Sequence, residues 1–103
     1  MPRWLPRILA SVRECAAEGK FRLTAKAARE LAALGAGLDP EDVRHVLLGL
    51  TAGDSAGRRT SSTTREWMYV FKPEIGGEAV YVKLVIRDEC VVISFHEDEG
   101  RGR

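Results

Sequence analysis

Tyr81, Lys83, Ser94 and His96 are the side chains of this 103-residue sequence whose types and spacing suit proton transfer and anion binding at one place. They occupy alternate positions of two segments, VYVKLVIR and CVVISFH, separated by Asp88 and Glu89. Alternation of period two marks a strand, and two such runs around a short polar break predict an antiparallel hairpin. With Asp88 and Glu89 as the turn, Arg87 faces Cys90, and the ladder runs through Ile86–Val91, Val85–Val92, Leu84–Ile93, Lys83–Ser94 and Val82–Phe95 to Tyr81–His96. Successive side chains point to opposite faces. One face therefore collects Val82, Leu84, Ile86, Val91, Ile93 and Phe95 and is expected to be buried, while the other collects Tyr81, Lys83, Val85, Val92, Ser94 and His96. A one-residue slip would mix the two sets.

Directly opposed residues of an antiparallel pair have Cβ atoms about 4.5–5.5 Å apart, so Tyr81 and His96 can act on one substrate. Cationic residues nearby in the sequence, Arg58, Arg59 and Lys72, could close a positive concavity around the same face. Such a surface suits a phosphodiester. RNA cleavage without a metal needs a base for the ribose 2′-hydroxyl, an acid for the leaving 5′-oxygen, and cations for the charge that grows on phosphorus. His96 titrates in the useful range and could be either acid or base. Tyr81 could donate or relay a proton, or hold the phosphate. Arg58, Arg59, Lys72 and Lys83 are candidates for substrate binding. The same residues would also serve a solvated sheet face, or a non-catalytic domain that binds RNA or protein. No cofactor motif is present: Gly76-Gly77 reads as a hairpin turn, and the two histidines and two cysteines lack zinc-ligand spacing.

The elements that must position these residues follow from the rest of the chain. Leu5, Ile8, Leu9, Val12, Cys15 and Ala16 recur at helical spacing, with Gly19 as a stop. Thr24 caps a second helix with an alanine-rich inner face, closed by Gly35 and Gly37; Asp39-Pro40 opens a third, lined by Val43, Val46, Leu47 and Leu50. Residues 53–65, GDSAGRRTSSTTR, read as a cationic loop, and strands follow: WMYVF, in which Trp67, Tyr69 and Phe71 share a core face, and then the hairpin. Helices followed by strands predict one α+β domain over residues 1–103, with two to three N-terminal helices on one face of an antiparallel sheet of three or slightly more strands. Its parts are a helical half (1–52), the loop (53–65), the sheet (66–98) and a tail (99–103).

A net charge of +1 excludes the strong basic excess of a nucleic-acid coat protein. The distribution is polarised, however: +4 over residues 1–30, −2 over 31–53, +2 over 54–72 and −3 over 73–103. A local positive site for an RNA backbone fits this pattern. No run approaches the roughly 18 apolar residues of a membrane span, and Cys15 and Cys90 read as two reduced thiols, so a cytoplasmic protein without membrane partners is expected.

GLDPEDVRHVLLGL, the cationic segment after it, the W-x-x-V-F-K-P strand and VYVKLVIRDECVVISFHED resemble the MqsR family of bacterial toxins, from about Ile8 to Asp98. The resemblance implies a RelE-like α+β fold and a metal-free endoribonuclease of a type II toxin–antitoxin system. Such a toxin cleaves mRNA, arrests translation and is neutralised by a cognate antitoxin, through which alone it meets operator DNA. It also implies a site made of a loop lysine, a glutamine after the strand tryptophan, the tyrosine of V-Y-x-K and a basic residue after S-F. Tyr81 matches that tyrosine and His96 stands at the basic position; Arg58, or Gly57, falls at the loop lysine, and Met68 replaces the glutamine.

Overall fold

The computed structural model describes residues 1–35 and 37–98. The tail expected at 99–103 lies outside the described residues. Helix α1 (Trp4–Ala17) buries Leu5, Leu9, Val12 and Ala16, the stripe its periodicity defines. A short strand β1 (Phe21–Leu23) follows, and Thr24 then caps α2 (Ala25–Ala33) by accepting a hydrogen bond from the Ala27 amide. Helix α3 (Pro40–Leu48) starts with a reciprocal cap in which Asp39 and Asp42 each accept the other's backbone N–H.

The strands are β2 (Ser55–Thr60), β3 (Trp67–Phe71), β4 (Glu74–Ile75), β5 (Glu78–Ile86) and β6 (Cys90–Glu97). They form a sheet in the order β1-β6-β5-β3-β2, with β4 folded back on β5 through Gly76 and Gly77. Both glycines have positive φ, 62° and 86°, as a tight hairpin turn with two left-handed residues requires. The architecture is α+β, with the N-terminal helices against one sheet face, as the order of periodicities predicts.

Two strands lie where the sequence reads otherwise. β1 pairs parallel with β6, Phe21 opposite Cys90; three residues are too few to show a period, so the helical half conceals it. β2 runs through the segment read as a loop, because edge-strand residues exposed on both faces carry no apolar alternation.

Beneath the helices, Tyr69, Phe71, Val80, Val82, Leu84, Cys90, Val92 and Phe95 complete the core. Trp67, expected there too, is 45% exposed at the sheet margin. Cys15 and Cys90 are both free thiols, and burial pushes the Cys90 thiol up to about 12.

Candidate functional site

The hairpin register is as derived from Tyr81–His96 to Lys83–Ser94, extends to Val80–Glu97 at one end, and shifts by one at the other. Leu84 pairs with Val92, Val85 with Val91 and Ile86 with Cys90, so Ile93 is an extra residue on β6. This bulge reverses the inside–outside parity of the lower half of β6. Cys90 and Val92 join the core in place of Val91 and Ile93, which corrects the faces assigned to Val91, Val92 and Ile93. Above the bulge, Tyr81, His96, Lys83 and Ser94 remain together on the face away from the helical core, with Ser94 itself buried there.

The rings of Tyr81 and His96 stack, with centroids 5.0 Å apart and planes 10° from parallel. His96 Nδ1 lies 2.8 Å from the Glu97 carbonyl oxygen. A carbonyl only accepts, so this contact places the proton on Nδ1 and leaves Nε2 of the neutral ring with its lone pair. An open cleft of about 270 Å³ flanks His96, lined by Glu30, Ala33, Leu34 and Glu97.

A second bulge governs the arginines. Between Ser55–Phe71 and Arg58–Tyr69 the register of β2 against β3 slips by one, at Gly57 with φ 96°. Arg58 is thereby carried to the helix side with Tyr69, where its guanidinium lies 3.8 Å from the Trp67 ring centroid and 4.9 Å from that of Trp4. Arg59 pairs with Met68 and shares the open face with Lys83. The structure thus divides two neighbours that sequence reasoning grouped: Arg59 joins the Tyr81 face and Arg58 does not. Lys72 follows the end of β3 and forms a 3.5 Å ion pair with the buried carboxylate of Asp98.

A cation that sequence reasoning missed completes the cluster. Beyond β1 the outer edge of β6 is covered by α2: Thr24 N–H donates to the Val92 carbonyl, Lys26 Nζ to Ser94 Oγ at 3.0 Å, and Phe95 N–H to Glu30 Oε1 at 2.9 Å. Glu30 Oε2 also pairs with Lys26 at 2.9 Å. Burial, then the charges of Lys26 and Arg59, hold the Lys83 ammonium below its ordinary range. Conversely, Glu30 is held low by its hydrogen bonds and by the charges of Lys26 and His96, which outweigh the cost of its burial. Lys26 follows a capping threonine in an amphipathic helix, so its sequence context offers no sign of chemistry.

This sheet face thus gathers Lys83 with the two cations that depress it, Lys26 and Arg59, the Glu30 carboxylate and a stacked tyrosine–histidine pair. Among the described residues no group of three or more His, Cys, Asp or Glu could hold a metal ion, and no helix is long and apolar enough to cross a membrane. The fold is that of a small α+β domain with a locally cationic sheet face. Residues 7–97 match the family model described as motility quorum-sensing regulator, toxin of MqsA, and the chain belongs to that family. It is a toxin of a toxin–antitoxin system. No curated protein matches the sequence.

Proposed function

We propose that this toxin is a metal-independent endoribonuclease that cleaves mRNA in the cytoplasm, arrests translation and is neutralised by a cognate antitoxin. The observation that carries the reading is the stacked Tyr81–His96 pair at the end of the Lys26, Lys83 and Arg59 cluster. In the reaction, the 2′-oxygen attacks the adjacent phosphorus and passes its proton to His96 Nε2, the ring nitrogen that the Glu97 contact leaves available. The P–O5′ bond breaks as the new bond forms, and the leaving oxygen takes a proton from the Tyr81 hydroxyl. The products are a 2′,3′-cyclic phosphate and a 5′-hydroxyl. Lys83, Arg59 and Lys26 offset the charge on the phosphorane, and Lys72 guides the backbone from the Asp98 side.

The test is incubation of the purified toxin with mRNA in EDTA, beside His96→Ala and Tyr81→Phe. Cleavage by the wild type and its loss in both variants is the expected result. Equal cleavage by all three overturns the site, and RNA binding without any cleavage makes the domain a non-catalytic binder.

A further inference from the structure

The bulge at Ile93 leaves a feature on the open face that proton transfer does not use. A pocket of about 180 Å³ opens there, with Met68, Val85 and Ile93 among its lining residues and the turn after β2 at its rim. Without the bulge, Ile93 would point into the core and the pocket would lose part of its apolar lining. Bulges recur beside functional sites because they re-aim a side chain in this way.

The pocket lies in line with the chemistry. Tyr81, Lys83 and Val85 are successive outward residues of β5, so at about 3.4 Å per residue Val85 lies roughly 13 Å from Tyr81, with Lys83 midway. A strand of RNA whose scissile phosphate sits at the Tyr81–His96 pair can run along β5 past Lys83, which lies between that phosphate and the next. A base of that strand then reaches the pocket. Its volume is below the roughly 300 Å³ at which sites for larger small molecules begin, so it suits one ring system. An apolar floor serves a base face. The rim supplies the edge contacts: the Thr63 hydroxyl and the guanidinium of Arg87, which Glu66 fixes through two 2.8 Å hydrogen bonds. The cations beside the pocket favour a polyanion over an apolar peptide.

We propose that this pocket is a nucleobase subsite that gives the toxin a sequence preference. The proposal rests on the reading of the Tyr81 face as an RNA site, and its test separates the two. Wild type, Met68→Ala and Thr63→Trp, the last filling the mouth from an exposed position, are titrated with fluorescent 2′-O-methyl RNA homopolymers, which lack the attacking hydroxyl. An abasic strand of equal length reports the phosphate contacts alone. The expected result is discrimination among the homopolymers by the wild type, and a loss of about five-fold or more in affinity for the preferred one in both variants. Affinity for the abasic strand and the melting temperature stay unchanged. In parallel, cleavage positions on one mRNA are mapped in EDTA, where both variants should lose preference at one position near the cut. Wild-type discrimination that both variants retain, or variants impaired only in antitoxin binding, would overturn the subsite. Absence of cleavage by the wild type overturns catalysis instead, and the homopolymer titration still decides the subsite.

Discussion

The imidazole of His96 lies parallel to the ring of Tyr81, 5.0 Å between centroids, while its Nδ1 is tied to the Glu97 carbonyl at 2.8 Å. Stacking and hydrogen bonding therefore fix the ring plane and tautomer independently of the tyrosine hydroxyl. Tyr81→Phe keeps the stack and removes only the proton donor. Its kcat for RNA cleavage should fall by roughly 10²–10⁴, the usual worth of a positioned acid or base, with the melting temperature unchanged. Tyr81→Leu should lose in addition about 0.5–1.5 kcal/mol of ring interaction and melt lower. Single-turnover cleavage and thermal denaturation measured together separate the two effects, and an unchanged kcat in Tyr81→Phe removes the hydroxyl from the mechanism.

Lys83 opposes stability to function. Its burial, and then Lys26 and Arg59, hold its pKa below the ordinary 10.5. Between the folded value and 10.5 the unfolded chain binds more protons than the folded one, so stability rises with pH across that window; below it the cost of the charged form is fully present. Lys83→Met should therefore raise the melting temperature at neutral pH, by about 2–4 °C for a change near 0.5 kcal/mol. The same substitution should weaken RNA binding and make it less salt-dependent, by about 0.7 in the slope of log affinity against log salt. A variant that melts lower than the wild type would show that Lys83 stabilises the sheet.

Arg58 and Arg59, adjacent in sequence, should behave oppositely. Arg58 lies against Trp4 and Trp67 on the helix side. Its replacement by alanine should cost about 0.5–1 kcal/mol for each exposed cation–π contact, or roughly 4–8 °C in melting temperature per kcal/mol, and leave the KM for RNA unchanged. Arg59→Ala should raise KM and melt no lower than the wild type. The reverse assignment would return Arg58 to the substrate face.

Periodicity and capping residues were sufficient for the three helices, for the caps of α2 and α3, and for the meeting of Tyr81 with His96 in the β5–β6 hairpin, because these depend on repeating patterns and on local chemistry. What it could not show are the two bulges. A single extra residue at Gly57 decides which arginine shares the face of Lys83, and one at Ile93 exchanges Val91 and Ile93 for Cys90 and Val92 on the helix side. Both residues before and after Ile93 are compatible with burial, so the apolar run from Val91 to Ile93 hides the slip. Lys26 and Glu30 escaped notice for a different reason: their contacts with Ser94 and Phe95 join positions more than sixty residues apart, and such pairing leaves no local mark in a single sequence.

The rim of the pocket makes a prediction that needs no RNA. Two hydrogen bonds from Arg87 to Glu66, with a further one involving Thr64, hold the Glu66 carboxyl at about 2, against an ordinary 4.5. A carboxylate depressed in the folded state contributes stability above its unfolded value, and that contribution disappears as pH falls from about 4.5 through the folded value. Arg87 is exposed and Glu66 half-buried, so the contribution is modest and salt reduces it. Carboxyl-resolved NMR titration should place Glu66 near 2 in low salt, and Arg87→Gln should return it towards 4.5. Unfolding titrations of the variant should correspondingly lose part of the wild type's pH dependence between those values. Because Glu66 N–H donates to Thr64 Oγ1, and Ser61 Oγ accepts from Thr63 and Thr64, release of the pair should also loosen the turn that forms the pocket rim. Faster amide exchange at Thr63, Thr64 and Glu66 in Arg87→Gln would register that coupling, and unaltered exchange would show that the turn holds its shape through Ser61 alone.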